Sequence, residues 1–234
     1  MFPGFLIPCK MKSQIVPALL ILFSVTGCSS DRKITVLSPD KTIKIEINSG
    51  SATGNPGFTI EKDGRKIILP SYFDLEINGI DFPGDLKILK AEYSSFSNTW
   101  VNSSGERKNV PDNYNQQKLF LKSNDLRLNL IFRVYNEGAA FAWEFPEQEG
   151  FDSLIITDEK IIFRFHADYP AWSAPRAQAI YSNVPLSKID KGAERPLVIE
   201  IDSTLTIALT EAGLVDFARM NTDQPDFRGR TRIS

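Results

Sequence analysis

The stretch Asn129–Gln148, NLIFRVYNEGAAFAWEFPEQ, decides the fold, because it has the pattern of two strands joined by a tight turn. On both sides of the turn, apolar residues alternate with others in the way that gives a strand one buried face. The break at residues 136–138 predicts the turn, with Gly138 supplying the positive φ that a reversal needs. We predict a central antiparallel hairpin whose core face consists of Leu126, Leu128, Leu130, Phe132, Val134, Phe141, Trp143 and Phe145.

Strand patterns also fill most of the chain from Ile34 onward. Asp63-Gly64 separates two of them and is a strong signal for a two-residue hairpin loop. We find no amphipathic helix between the strands, so the pattern predicts an all-β domain with two packed antiparallel sheets, either a sandwich or a large barrel. The further predicted strands are residues 42–47, 58–62, 66–69, 73–77, 86–96, 117–122, 154–156, 160–165, 196–201 and 205–209.

The first 28 residues have the composition of an export signal. Lys12 precedes an apolar run from Ile15 to Phe23, and the segment ends in Val-Thr-Gly-Cys, the form of a bacterial lipoprotein cleavage site. The apolar run is shorter than the ~20 residues that span a bilayer. We therefore predict that Cys28 carries a lipid, that residues 29–33 are a short tether, and that the protein lies in the bacterial cell envelope, periplasmic or associated with the outer membrane.

Met11 by itself opens a signal of ordinary shape. Residues 1–10, which include Cys9, are therefore predicted to be an upstream extension from a misplaced start codon. Removal of the signal leaves no free cysteine in the folded domain, which excludes an internal disulfide, a thiolate nucleophile and a cysteine metal site.

Composition excludes some further classes of function. The sequence has 27 basic and 29 acidic residues, and the signal carries only basic ones, so the exported form is mildly acidic. Because no basic stripe is present to neutralise phosphates, we expect no nucleic-acid partner. About 200 residues after the signal are enough for one domain with a sizeable core.

Two predicted loops are rich in polar and aromatic residues. The first, Asn98–Gln117, places Trp100 and Tyr114 among amides and hydroxyls, a composition suited to sugars, whose ring faces stack on aromatic side chains. The alternative is an ordinary polar loop whose aromatic residues plug the edge of the sandwich. The second, His166–Ile189, offers Trp172 as a third candidate for sugar contact. A lone histidine cannot form a transition-metal site, so His166 is assigned no role.

The chain carries several short motifs in order, which are LSPD at 37–40, the central hairpin with ITDE at 156–159, AW at 171–172, YSNVPLS at 181–187 and EAGLVDFARM at 211–220. Together they resemble the amino-terminal domain of glycoside hydrolase family 97, bacterial α-glucosidases and α-galactosidases of the starch-utilisation type. In the first polar loop, Trp100, Gly105-Glu106 and Asn113-Tyr114-Asn115 also match the family. The resemblance covers roughly residues 34–221 and implies a super-β-sandwich of galactose-mutarotase-like shape for that domain.

The resemblance also implies partners and a cofactor. Family members act on α-glucan or α-galactoside substrates and hold the catalytic acid and base in a (β/α)₈ barrel that follows this domain. They also carry a calcium-binding glutamate three residues before the tyrosine that matches Tyr181, where this chain has Gln178. Glutamine offers calcium a carbonyl oxygen but no charge, so either the match is out of register in this loop and Gln178 is an ordinary loop residue, or Gln178 is a weakened calcium ligand.

The sequence after Asn221 is expected to differ from the family. Residues 222–234 have few apolar side chains and three arginines, which predicts a disordered tail, and the chain is expected to stop before the barrel. No catalytic residue is assigned, since the carboxylates near the hairpin have the pattern of a solvated rim; they are Glu144, Glu147, Glu149, Asp158 and Glu159.

We expect a carbohydrate-binding scaffold domain of a family 97 glycosidase, inactive by itself. The alternative is a freestanding carbohydrate-binding or mutarotase-like lipoprotein. A mutarotase would use a histidine with an acidic residue, and this chain has a single histidine.

Overall fold

The computed structural model describes residues 33–48, 55–77, 80–81, 86–150, 153–213, 219–222 and 230–233, all within one compact unit, Asp31–Ser234. The predicted signal, Cys28 and residues 29–32 of the tether lie outside these residues. Within the described residues the only helical element is a 3₁₀ turn, Leu186–Lys188. This part of the chain therefore contains no helix that is long and apolar enough to cross a membrane.

The described strands form three antiparallel sheets. The first sheet has the order β1 (Ile34–Leu37), β2 (Ile43–Asn48), β3 (Gly57–Lys62), β4 (Arg65–Ile77), β10 (Ile156–Arg164) and β15 (Arg230–Ile233), with β5 (Ile80–Asp81) on the end of β4. The second sheet follows chain order: β6 (Lys87–Val101), β7 (Asn109–Ser123), β8 (Leu126–Tyr135) and β9 (Ala139–Glu144). The third sheet has the order β12 (Ser182–Pro185), β11 (Pro170–Ser173), β13 (Leu197–Glu200) and β14 (Thr206–Leu209).

An aromatic cluster joins the first two sheets. The ring of Phe73 on β4 lies 4.7 Å from that of Phe141 on β9 and 5.9 Å from that of Phe132 on β8. Phe58 on β3 completes the cluster, 4.9 Å from Phe73. Buried residues of the third sheet extend the same core. The predicted all-β sandwich is confirmed, and the third sheet adds to it.

The central hairpin is β8 and β9. The predicted core face is confirmed on β8, where Leu128, Leu130, Phe132 and Val134 are buried, while Leu126, Phe141, Trp143 and Phe145 are partly buried against the core. The prediction for Gly138 is wrong, because Gly138 is not among the residues with positive φ. Val134 pairs with Ala139, so the four residues between them make a wider turn that needs no left-handed residue at that position.

The Asp63-Gly64 turn is confirmed. Lys62 pairs with Arg65, which leaves two loop residues, and their φ values are 51° and 78°. Positive φ at both positions is the type I′ geometry that matches the twist of the flanking strands.

The structure differs from the sequence analysis at three places. Most of the predicted loop Asn98–Gln117 belongs to β6 and β7, which pair out to Val101 and Asn109, because cross-strand hydrogen bonds outweigh the weak strand propensity of serine and asparagine. The loop His166–Ile189 contains β11 and β12. In the tail, expected to be disordered, β15 pairs with β10, whose outer edge offers unpaired backbone groups to an extended segment.

Candidate functional site

The end of the β6–β7 hairpin holds Trp100. β8 pairs with β7 only from Tyr114 onward, so the ribbon near Trp100 has two strands. Trp100 pairs with Val110 and is 49 % exposed. An exposed aromatic ring on an outlying ribbon is available to a ligand or a partner.

Tyr114 has a different environment from the one predicted. It is only 9 % exposed, and its ring lies 5.3 Å from that of Phe96 and 5.2 Å from that of Tyr135. The guanidinium carbon of Arg133 lies 4.5 Å from its ring centre. These contacts occupy the ring, so Tyr114 serves the packing of the sheet, whereas Trp100 remains accessible to a sugar.

A cleft of about 370 Å³ lies beside this ribbon, between β7 and the turn of the central hairpin. Across it, Arg107 Nη1 lies 3.3 Å from Glu137 Oε1. Both side chains are mostly exposed, so this ion pair adds little stability. The volume suits a small ligand, and the lining offers donors and acceptors. The lining residues are Arg107, Val110, Pro111, Asn113, Tyr135, Asn136, Glu137, Gly138, Ala139 and Ala140.

Trp172 lies on the exposed face of the third sheet, apart from the hairpin. It is 41 % exposed, while its neighbours Ala171 and Ser173 are buried. The Trp172 indole Nε1–H donates to Glu200 Oε1 at 2.7 Å, and Asn183 Nδ2–H donates to Glu200 Oε2 at 3.4 Å. The structure therefore brings Trp172 together with two polar residues that the sequence analysis missed. Strand alternation places Glu200 on an outward face, but only the sheet order shows which tryptophan lies beside it.

The carboxylates near the central hairpin differ in environment. Hydrogen bonds from Lys118 and then Asn129 lower the pKa of Glu144, whereas burial raises the pKa of Glu159, partly offset by a hydrogen bond from Trp143. Glu144 points outward from β9, while the neighbouring Trp143 packs against the core. The two perturbed carboxylates therefore face opposite sides of β9 and do not share a site.

The sequence profile described as "Glycosyl-hydrolase 97 N-terminal" matches residues 36–231. The chain belongs to glycoside hydrolase family 97. Within that family it corresponds to the amino-terminal domain, and the match extends ten residues beyond residue 221, where the resemblance seen in the sequence ends.

Solved structures of family 97 share this fold. The chain is 25 % identical to a family 97 enzyme from Pseudoalteromonas sp. strain K8 in complex with acarbose, with a TM-score of 0.76. The aligned region covers 86 % of this chain and 31 % of that enzyme. A variant of the same enzyme in complex with panose matches equally well, at 25 % identity and a TM-score of 0.76, with the same coverage. A β-arabinopyranosidase matches with a TM-score of 0.79 over 87 % of this chain and 35 % of its own. Because it is only 18 % identical, this match shows a shared fold and nothing further. The chain thus spans about a third of the length of these proteins.

The family 97 motifs are mostly structural in this chain. In LSPD, Ser38 Oγ donates to Asp40 Oδ1 at 2.6 Å, and this bond is the main cause of the lowered pKa of Asp40. The backbone N–H of Asp40 donates to Asn136 Oδ1 at 3.0 Å, which ties this turn to the central hairpin. In YSNVPLS, the backbone N–H of Ser187 donates to Asp168 Oδ1 at 2.7 Å. These motifs fix loops rather than supply chemistry.

The calcium ligand expected in family 97 is not well supported here. Gln178 is exposed in a turn where the N–H of Ala179 donates to the carbonyl of Arg176 at 3.1 Å, and its φ is 62°. Calcium needs several oxygen ligands, and a neutral amide beside an arginine provides one. Among the described residues no group of three or more histidine, cysteine, aspartate or glutamate side chains could hold a metal. Gln178 alone therefore does not make a calcium site, and its role as a calcium ligand stays a prediction.

Proposed function

We propose that this chain is the scaffold and carbohydrate-contacting module of a family 97 glycosidase, and that it acts with a catalytic barrel. The observation that carries this proposal is the family match over residues 36–231, together with coverage of only 31 % of the related enzyme. Acarbose and panose bind to that relative, so a glucose-based glycan is the substrate class we infer.

Two features of the domain support a role without catalysis of its own. Glycoside hydrolysis uses two carboxyl groups on either side of one bond, about 5 Å or roughly 6.5–9.5 Å apart. Glu144 and Glu159 have pKa values shifted in opposite directions, as an acid and a base would require, but they face opposite sides of a strand. The mutarotase-like alternative has only His166, which is exposed and lies in a loop.

We predict that the purified full chain does not hydrolyse nitrophenyl α-glucoside or nitrophenyl α-galactoside, with or without added calcium. Positioned acid and base groups contribute about 10² to 10⁴ in rate, and the two hairpin carboxylates with shifted pKa values, Glu144 and Glu159, face opposite sides of a strand. The measurement is nitrophenol release above the buffer rate. Turnover that is lost in Glu144→Gln or Glu159→Gln, but kept in the exposed control Glu137→Gln, would show that the sandwich has an active site and would refute the scaffold proposal.

We also propose that Cys28 carries a lipid that anchors the domain at the cell envelope, on the basis of the apolar run and the Val-Thr-Gly-Cys sequence that precede the domain. Expression in a bacterial host with labelled palmitate should label the wild type and the control Cys9→Ser, but not Cys28→Ser. Labelling that persists in Cys28→Ser would contradict the anchor.

A further inference from the structure

The outward face of the third sheet carries an exposed tryptophan that core packing does not require. Ala171 and Ser173 are 0 % and 6 % exposed, so Trp172 between them points away from the core by strand alternation. Burial of a tryptophan is favourable, so a ring left 41 % exposed on a regular strand forgoes that stabilisation. Such a ring is a candidate for contact with a ligand.

Hydrogen bonds fix the edge of this ring and leave its outer face free. Trp172 lies between Asn183 of β12 and Val198 of β13. Glu200, two residues along β13, accepts the indole N–H with one oxygen and an amide N–H of Asn183 with the other, at 2.7 and 3.4 Å. Because a carboxylate has about four acceptor sites, Glu200 can still accept further hydrogen bonds. The ring is thus held in one orientation beside free acceptors.

The remaining residues of this face define what could bind there. Val198 pairs with Ala208 of β14, and these small side chains leave room next to the indole. Glu200 is the one charged residue among the strand residues that share the face, so an anionic ligand would be repelled. The chemistry favours a neutral molecule with an apolar face and several hydroxyl donors. The outward strand residues are Pro170, Trp172, Asn183, Pro185, Val198, Glu200, Thr206 and Ala208.

We propose that Trp172, Glu200 and Asn183 form a binding site for one neutral hexopyranose ring of a glycan. The C–H face of the sugar stacks on the indole, adjacent hydroxyls donate to the free acceptor sites of Glu200, and Asn183 adds an amide contact. This inference rests on the proposed carbohydrate contact and assigns it to the third sheet instead of the hairpin cleft. One stacked ring and a few hydrogen bonds correspond to a dissociation constant on the order of 1 mM.

The chain has three tryptophans, Trp100, Trp143 and Trp172, so its indole N–H groups give three distinct signals in a ¹⁵N–¹H NMR spectrum. Trp172→Phe and Trp100→Phe assign two of them, and Trp143 is the partly buried reference. Titration of the full chain with maltotriose should move the Trp172 signal saturably and leave the Trp100 and Trp143 signals in place. Trigalacturonate, which is anionic, should move none of them.

Glu200→Gln tests the polar half of the site without removal of the ring. We expect the Trp172 signal to shift in the free protein, because the acceptor of its N–H changes. We also expect the maltotriose affinity to fall at least about fivefold, because the sugar hydroxyls lose a charged hydrogen-bond acceptor. The control Asp125→Asn, at a carboxylate that is 95 % exposed in the β7–β8 turn and lies in neither candidate site, should leave the affinity unchanged.

The remaining outcomes of the titration distinguish failure of the Trp172 site from failure of the proposed function. Movement of the Trp100 signal alone would overturn the Trp172 site and keep carbohydrate contact, now at the hairpin. No movement of any signal at about 50 mM maltotriose, well above the dissociation constant expected here, would overturn this site together with the carbohydrate contact, but not the inactive-scaffold proposal, which the nitrophenyl assay tests separately. Equal movement with trigalacturonate would refute the argument from charge.

Discussion

Replacement of Phe73 by alanine should lower the free energy of unfolding by about 3 to 5 kcal/mol, the range for large aromatic truncations in a core. Phe73 is 1 % exposed, and its ring contacts those of Phe58, Phe132, Phe141 and Trp143 at centroid distances between 4.7 and 5.9 Å. It joins the first sheet to both strands of the central hairpin. Removal of the ring leaves a cavity between the two sheets, and the neighbouring side chains, which are held on separate sheets, cannot close it.

Denaturant unfolding of the wild type and Phe73→Ala measures the difference. Phe96→Ala is the matched control, because Phe96 is 43 % exposed on the edge strand β6 and loses mainly its contact with Tyr114. We expect Phe96→Ala to lower the free energy of unfolding by less than half as much as Phe73→Ala does. A Phe73→Ala loss below about 1 kcal/mol, the range of ordinary substitutions, would mean that the two sheets do not pack through this cluster.

Arg195→Ala should destabilise the domain by about 2 to 3 kcal/mol, because it leaves a half-buried carboxylate without its partner. Arg195 forms an ion pair with Glu211, and each side chain is 18 % exposed. Its Nη1 also donates to the carbonyl of Met220 at 3.3 Å, while Glu211 Oε2 accepts the Met220 N–H at 3.0 Å. The pair therefore holds the two ends of the EAGLVDFARM motif against the loop that precedes β13.

The control for this prediction is Arg107→Ala, whose ion pair with Glu137 is exposed on both sides and should contribute no more than about 0.5 kcal/mol. Arg195→Lys should fall between the two, since lysine keeps the charge but not the planar donor fork. Thermal and denaturant unfolding report all three. Equal stability of Arg195→Ala and Arg107→Ala would show that the motif is not held by this pair.

The sequence was informative where a local pattern determines the structure. The alternation in β8 predicted Leu128, Leu130, Phe132 and Val134 as core, and the Asp-Gly pair predicted the β3–β4 turn, because strand period and turn chemistry act over a few residues. Gly138 was predicted wrongly for a related reason. A glycine permits positive φ but does not require it, and the length of the turn depends on the register of the strands around it.

Contacts between distant strands could not be predicted in this way. The alternation in β13 gives Glu200 an outward face, but that Trp172 lies beside it depends on the order of strands in the third sheet. The polar neighbours of Tyr114 in the chain predict an accessible ring, whereas Phe96 and Tyr135 on the adjacent strands cover it. Burial of a strand residue is set by its cross-strand neighbours, which a single sequence does not identify.

The connection from β4 to β10 has a consequence for how the chain assembles. Ile77 at the end of β4 pairs with Ile156 at the start of β10, and the whole second sheet lies between them in the sequence. That sheet joins each strand to the next in chain order, so its contacts are local and cost little chain entropy. Once formed, it brings residues 77 and 156 close together and shortens the loop that the first sheet must close. The inserted meander thus lowers the entropic barrier to completing the first sheet, which contributes more of the described buried hydrophobic residues than either of the other two sheets.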